Sequence, residues 1–220
     1  MSEAAPAAET VEAIIRHRLS SAVGGWRGSV ETALPTIAFV IGWTITTSLR
    51  PSLIAAGVAA VVLAGLRLAQ RQSLQYVLSA VFATAIAAFF ALRSGRAQDV
   101  FLPGILINLA YAAATLVSVL AKWPFIGFLV GAGDPEAKTD PLRWRRDPSM
   151  VAVCSRLTLV TTAMFALRVA IMYPLYLAGN VAALGVAKIA LGWPLWAAAI
   201  AVMGGMLMRG ATPHTPLPER

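Results

Sequence analysis

The sequence predicts an all-α, polytopic membrane protein, a bundle of about six transmembrane helices with the N-terminus and C-terminus both cytoplasmic. Three observations carry this expectation. First, hydrophobic residues make up 58% of the chain and charged residues only 13%, where a soluble domain has about half and about a quarter; mean hydropathy is +0.73. Second, all ten carboxylates (Glu3, Glu9, Glu12, Glu31, Asp99, Asp134, Glu136, Asp140, Asp147 and Glu219) fall outside the long apolar runs. Third, Lys and Arg gather at one set of run ends.

Taken in order, residues 1–30 read as a cytoplasmic amphipathic segment. Val11, Ile14, Ile15, Leu19 and Ala22 recur at helical spacing behind Thr10 as N-cap, with Glu12, Arg16 and Arg18 on other faces. Such a helix is expected to lie on the membrane and to be dispensable for the bundle. The start, MSEAAPAAETVEA, is acidic and lacks the basic and apolar regions of a secretory signal, so it is expected to be retained. Residues 31–209 form the transmembrane domain. A bilayer core about 30 Å thick needs roughly 20 apolar residues per helix, and six runs qualify: Ala33 to Leu49, ended by Arg50-Pro51; Ser52 to Leu68; Leu74 to Leu92; Val100 to Ala121, closed by Lys122-Trp123-Pro124; Met150 to Tyr173, stopped at Pro174; and Val186 to Met208. Phe125 to Val130 and Leu175 to Leu184 are apolar but too short to span, and read as interfacial or re-entrant pieces. The cytoplasmic loop 132–149 holds three Asp-Pro pairs, at Asp134, Asp140 and Asp147, which favour turns. Residues 210–220 read as a disordered, Pro-rich tail.

Orientation follows from the basic residues. With the N-terminus inside, Arg16, Arg18, Arg27, Arg67, Arg71, Lys122, Lys138, Arg143, Arg145, Arg146, Arg156, Arg209 and Arg220 are cytoplasmic. Only Arg50, Arg93, Arg96, Arg168 and Lys188 lie outside, a bias of 13 to 5 that obeys the positive-inside rule. The net charge of +8 is thus distributed along run ends and not over one basic face, so no nucleic-acid partner is expected. The expected partner is a bilayer with anionic headgroups, touched by Arg16, Arg18, Arg143, Trp144, Arg145 and Arg146, together with membrane-protein partners or further copies of the chain.

The stretch LPTIAFVIGWTITTSLRPSLIAAGVAAVVLAGLRLAQRQSLQYVLSAVFATAIAAFF, followed by FLPGILINLAYAAATLVSVLAKWPFIGFLVG, resembles the layout of bacterial intracellular septation protein A. The shared features are an early Leu-Pro span, a span entered through a Pro, and a Lys-x-Pro-Phe-Ile exit over residues 24–131. GGWRGSVETALP and the Ala-rich composition are similar to an uncharacterised actinobacterial integral-membrane family, a domain of unknown function, over most of the chain. These resemblances imply a multi-pass protein of the bacterial plasma (inner) membrane with a role in the cell envelope, and imply no reaction.

Polar residues within apolar runs are the remaining functional clues, because hydrocarbon penalises them unless they are partnered. Asn108, Tyr111, Thr115 and Ser118 share one face of the fourth span. On the fifth, Cys154, Thr158, Thr161 and Arg168 recur at similar spacing. Either stripe could line a cavity or simply hydrogen-bond helix to helix. Arg168 has no carboxylate within any span to neutralise it; the simpler reading is snorkelling to the headgroups, the other an inward turn onto carbonyls, hydroxyls or an anion. Both histidines, His17 and His214, lie in the tails, so proton coupling through intramembrane Asp, Glu or His is not expected. The single cysteine, Cys154, forms neither an internal disulfide nor a metal site, and no phosphate-loop, His-Glu-x-x-His or Gly-x-Ser-x-Gly signature occurs. No enzyme, cofactor or metal is therefore expected. The expected function is a non-catalytic envelope protein that packs against membrane partners or lipids; the alternative is a small facilitator or carrier with a polar intramembrane cavity.

Overall fold

The computed structural model describes residues 10–22, 34–69, 74–134, 140–210 and 212. Among them the chain is all-helical: α1 Val11–Ala22, α2 Leu34–Thr46, α3 Leu49–Ala69, α4 Leu74–Ser94, α5 Leu102–Leu120, α6 Phe125–Ala132, α7 Pro148–Leu177, α8 Val181–Ala190 and α9 Trp193–Arg209, with short 3-10 turns at Ala97–Val100 and Arg143–Arg146. Three stretches are long and apolar enough to cross a membrane: Leu102–Leu120, Pro148–Leu177 and Val181–Arg209. Thr36–Thr46, Leu49–Val62 and Thr84–Ser94 are shorter apolar helices. Leu106, Ile107, Leu109, Val117 and Leu120 of α5 all point outward, an arrangement that water penalises and lipid does not.

The chain packs as two compact units. One comprises residues 25–110 and 166–196. Here α2 stops at Thr46, short of the predicted Leu49, because Thr47 takes a left-handed φ of 48° while Thr46 Oγ1 donates back to the Gly42 carbonyl at 2.7 Å. Arg50-Pro51, expected to terminate a span, instead lies in the first turn of α3, where a missing N–H costs nothing. Gly42 lets α3 approach α2: a Cβ there would sit 3.1 Å from Ser52 Cα. Phe39, Ala56, Ala97, Phe101, Ile105, Met172, Val181 and Leu184 form the core of this unit, with the rings of Phe39 and Phe101 edge-on at 6.1 Å.

Two sequence expectations are corrected in this unit. The fifth predicted span does not stop at Pro174, since α7 runs through it to Leu177 and ends in a turn around Gly179 at φ 65°. Neighbouring groups can satisfy the backbone that an intramembrane proline frees. Nor is the sixth predicted span continuous. It is broken at Leu191-Gly192 into α8, capped by Asn180 Oδ1 accepting from Ala183 N, and α9.

The other unit comprises residues 1–24, 111–165 and 197–220. Its core contains Val11, Ile15, Ile126, Val130, Trp144, Met150, Val153, Cys154, Leu157 and Leu207. Asp147 Oδ1 accepts from Ser149 N at 2.8 Å and from Met150 N at 3.3 Å, so Asp147-Pro148 is the N-cap and first residue of α7 as well as a turn. The amphipathic N-terminal segment is a helix, as its periodicity predicts, and Val11 and Ile15 of its apolar face pack on protein. Val11 and Ile15 are fully buried against protein. Glu12 is buried too, accepting from Thr212 N at 3.0 Å and from Thr212 Oγ1 at 2.6 Å, and Val11 N donates to Thr212 O at 3.1 Å. Thus residue 212, assigned by the sequence to a disordered tail, is paired. The remaining tail positions 211 and 213–220 lie outside the described residues.

Candidate functional site

The polar residues of the two predicted stripes fall into two sets. In the unit of residues 25–110 and 166–196, Arg168 turns inward and does not snorkel. Its Nε donates to Leu191 O at 2.6 Å, its Nη2 to Gly192 O at 2.9 Å, and its Nη1 reaches Asn108 Oδ1 at 3.5 Å. The break between α8 and α9 turns the Leu191 and Gly192 carbonyls toward Arg168, whose planar fork takes both, the Gly192 oxygen also accepting from Trp196 N at 3.2 Å. Asn108 Nδ2 donates to Gly104 O of its own helix at 2.6 Å.

In the unit of residues 1–24, 111–165 and 197–220, Thr115 and Thr162 hydroxyls lie 2.9 Å apart, joining α5 to α7. Thr162, one residue beyond the expected Thr161, makes this bond; Thr161 only bonds back to Leu157 O at 3.3 Å. Ser118 Oγ accepts from Phe125 N at 3.2 Å while donating to Thr115 O. Thr158 Oγ1, fully buried, accepts from Ile126 N at 3.1 Å and donates to Cys154 O at 2.8 Å. Both hydroxyls therefore accept from backbone N–H groups at the start of α6, which as a helix N-terminus has no intrahelical acceptors for them. Tyr111 lies against the Phe165 ring at 5.3 Å.

The predicted membrane-surface residues separate as well. Trp144 is 3% exposed, which corrects its assignment to the membrane interface. Its indole lies over the bare backbones of Gly127 and Gly131, where a Cβ on either glycine would run into the ring. Arg145 stacks 4.0 Å over the Trp123 ring, and Arg146 pairs with Asp140 at 2.9 Å on the surface. Arg16 is exposed and Arg143 half-buried, whereas the Arg18 side chain lies outside the described residues.

A further cluster went unread in the sequence. Tyr176 Oη donates to Asp99 Oδ1 at 2.8 Å, Arg96 Nε lies 3.8 Å from the same oxygen, and the Arg96 guanidinium sits 5.6 Å from the centre of the Tyr176 ring. Its only sequence signal was an acid in an otherwise basic interhelical loop, Arg93-Ser94-Gly95-Arg96-Ala97-Gln98-Asp99. Beside it opens a hollow of about 500 Å3 lined by Phe89, Phe90, Arg93, Ser94 and Asp99. Among the described residues no three His, Cys, Asp or Glu side chains converge to hold a metal ion.

The family model described as "Protein of unknown function (DUF3159)" matches residues 23–214. The chain belongs to this family. The DUF3159 match begins after α1 and takes in every other helix, so Arg168 and its carbonyls, the Thr115–Thr162 pair and the Asp99 cluster all lie inside the family's extent. No curated protein and no solved structure matches the chain.

Proposed function

We propose that this chain is a non-catalytic, multi-pass protein of the bacterial plasma membrane that crosses six times, keeps both ends in the cytoplasm, and packs against membrane partners or lipids. The observation that carries the non-catalytic reading is what the intramembrane polar groups do. Arg168, Thr115, Ser118 and Thr158 are each committed to carbonyls, N–H groups or hydroxyls of the same chain. A polar residue in hydrocarbon that spends its hydrogen bonds on helix contacts is fastening the bundle, and leaves little for a solute.

The topology draws support from the pairing of Val11 and Glu12 with Thr212. A backbone at residue 11 bonded to one at residue 212 favours both lying on one side of a bilayer, as an even number of crossings between them would have it. Leu102–Leu120, Pro148–Leu177 and Val181–Arg209 are long and apolar enough for three crossings, and we assign the other three to the shorter apolar helices α2, α3 and α4 with their flanking residues. The 13 to 5 bias of basic residues then places that side in the cytoplasm. The resemblance of residues 24–131 to intracellular septation protein A points to the same envelope setting.

The test has two parts. Reporters fused at either end should both read cytoplasmic, and a periplasmic signal from one end would refute the six-crossing arrangement. Proteoliposomes of the purified chain should leak small ions and neutral solutes no faster than protein-free vesicles. A solute flux that Asn108→Ala abolishes would instead establish the carrier, the reading suited to a helix broken as α8 and α9 are.

A further inference from the structure

The hollow at the end of α4 holds two opposite charges that do not meet. Arg93 and Ser94 occupy the last turn of the helix, Gly95 reverses the chain at φ 71°, and Asp99 returns beneath it on the 3-10 turn. Arg93 is exposed and makes no ion pair among the described residues, and Asp99 pairs only with Arg96, at 3.8 Å. Asp99 is buried, and its Oδ1 takes both Tyr176 Oη and Arg96; Oδ2 carries no hydrogen bond among the described residues. Phe89, 57% exposed, and Phe90 complete the wall, edge-on to each other at 6.0 Å.

We infer that this hollow binds the headgroup of a zwitterionic phospholipid bearing a primary ammonium, its phosphate on Arg93, its ammonium on Asp99, and its glycerol and upper acyl chain along Phe89 and Phe90. Each wall matches one part of such a molecule. A guanidinium takes a phosphate through paired charge-assisted hydrogen bonds. A buried carboxylate with an unused oxygen receives N–H donors, and an aromatic face attracts a cation. A headgroup with phosphate but no ammonium would leave Asp99 facing an anion, and a quaternary ammonium has no N–H to give Oδ2. The inference rests on the membrane reading above and on nothing else in it.

The test uses the purified full chain in mild detergent, its unfolding midpoint followed while lipid is titrated. The probes are diacyl phosphatidylethanolamine, phosphatidylcholine, phosphatidylglycerol and water-soluble phosphoethanolamine. Phosphatidylethanolamine is expected to bind about ten-fold more tightly than either other lipid, the scale of one charge-assisted hydrogen bond. Arg93→Gln should weaken it about ten-fold, and Asp99→Asn should erase the preference over phosphatidylglycerol. Lipid-free midpoints give each variant its baseline; if Asp99→Asn does not fold, Arg93→Gln and the lipid series still decide. Equal binding of phosphatidylglycerol, or an Arg93→Gln chain that binds like the parent, overturns the site. Phosphoethanolamine binding as tightly as the lipid overturns the assignment to a membrane component. Cytoplasmic reporters at both ends combined with either failure would leave the topology standing and remove this inference alone.

Discussion

Arg168→Lys keeps the charge but loses the fork that places Nε and Nη2 on two successive carbonyls. The expected cost is about 1 kcal/mol for Lys and about 2 to 3 kcal/mol for Leu, which removes the donors to both carbonyls and leaves Gly192 O only its bond from Trp196 N. Unfolding midpoints in detergent should rank Arg above Lys above Leu; a Lys variant as stable as the parent would return the residue to snorkelling. The Trp144 slot gives a second contrast. Gly127→Ala and Gly131→Ala each put a methyl where the indole lies, and expelling the ring should cost about 2 to 4 kcal/mol with a red-shifted tryptophan emission. Trp144→Phe should cost less, because the Trp144 Nε1 donor it removes is buried without a hydrogen-bond partner. The sequence located Arg168 and Trp144 as residues to watch, left Arg168 open between snorkelling and an inward turn onto carbonyls, and set Trp144 at the interface. Both side chains are amphipathic, suited equally to an interface and to a slot in protein, and only the neighbouring backbone decides. For Arg168 the deciding feature was the Gly192-Trp193-Pro194 step, a helix stop followed by a restart that an Ala-rich run disguised.

Helix positions were far more legible than helix partners. The runs Ser52 to Leu68, Leu74 to Leu92 and Val100 to Ala121 correspond to α3, α4 and α5 within a few residues, because apolar length and polar stops are local properties. What α1 rests on is not local. Its hydrophobic face fits a bilayer surface and a protein groove equally well, and nothing between residues 11 and 22 records Ile126, Val130 or Leu207. The packing of Val11 and Ile15 in that cluster argues against the expectation that this segment is dispensable. Removing residues 1–24 should uncover the cluster around Trp144 and lower the unfolding midpoint, and Ile15→Asp should do the same in the full chain through the burial of an unpaired charge. A truncated chain as stable as the parent would show that α1 only decorates the surface. Glu12→Gln tests the clasp more finely. Gln keeps one acceptor for Thr212 and gives up the charge, so a loss of about 1 kcal/mol is expected, smaller than for Glu12→Ala.

For the whole molecule, the proposed six crossings place the same demand on both ends of the described chain. Cysteines introduced at Arg16 and Thr212 of a Cys154→Ala chain should both resist a membrane-impermeant thiol reagent in intact cells and react once the cytoplasmic face is opened. Cys154 itself is fully buried, so its replacement by Ala leaves a small cavity. The clasp between these ends also fixes an order of events. Glu12 and Thr212 are separated by 200 residues, and a ribosome adding 5 to 20 residues each second needs about 10 to 40 s to make the interval. Throughout that time Val11 and Ile15 have been synthesised and the helix that brings Leu207 has not, so their apolar face waits without that part of its cover. Nascent chains arrested before α9 should therefore expose residues 11–22 to protease, and release of the completed chain should abolish the cleavage. Val11 and Ile15 meet Leu207 only once α9 has been made, so synthesis of α9 is the step that completes this core.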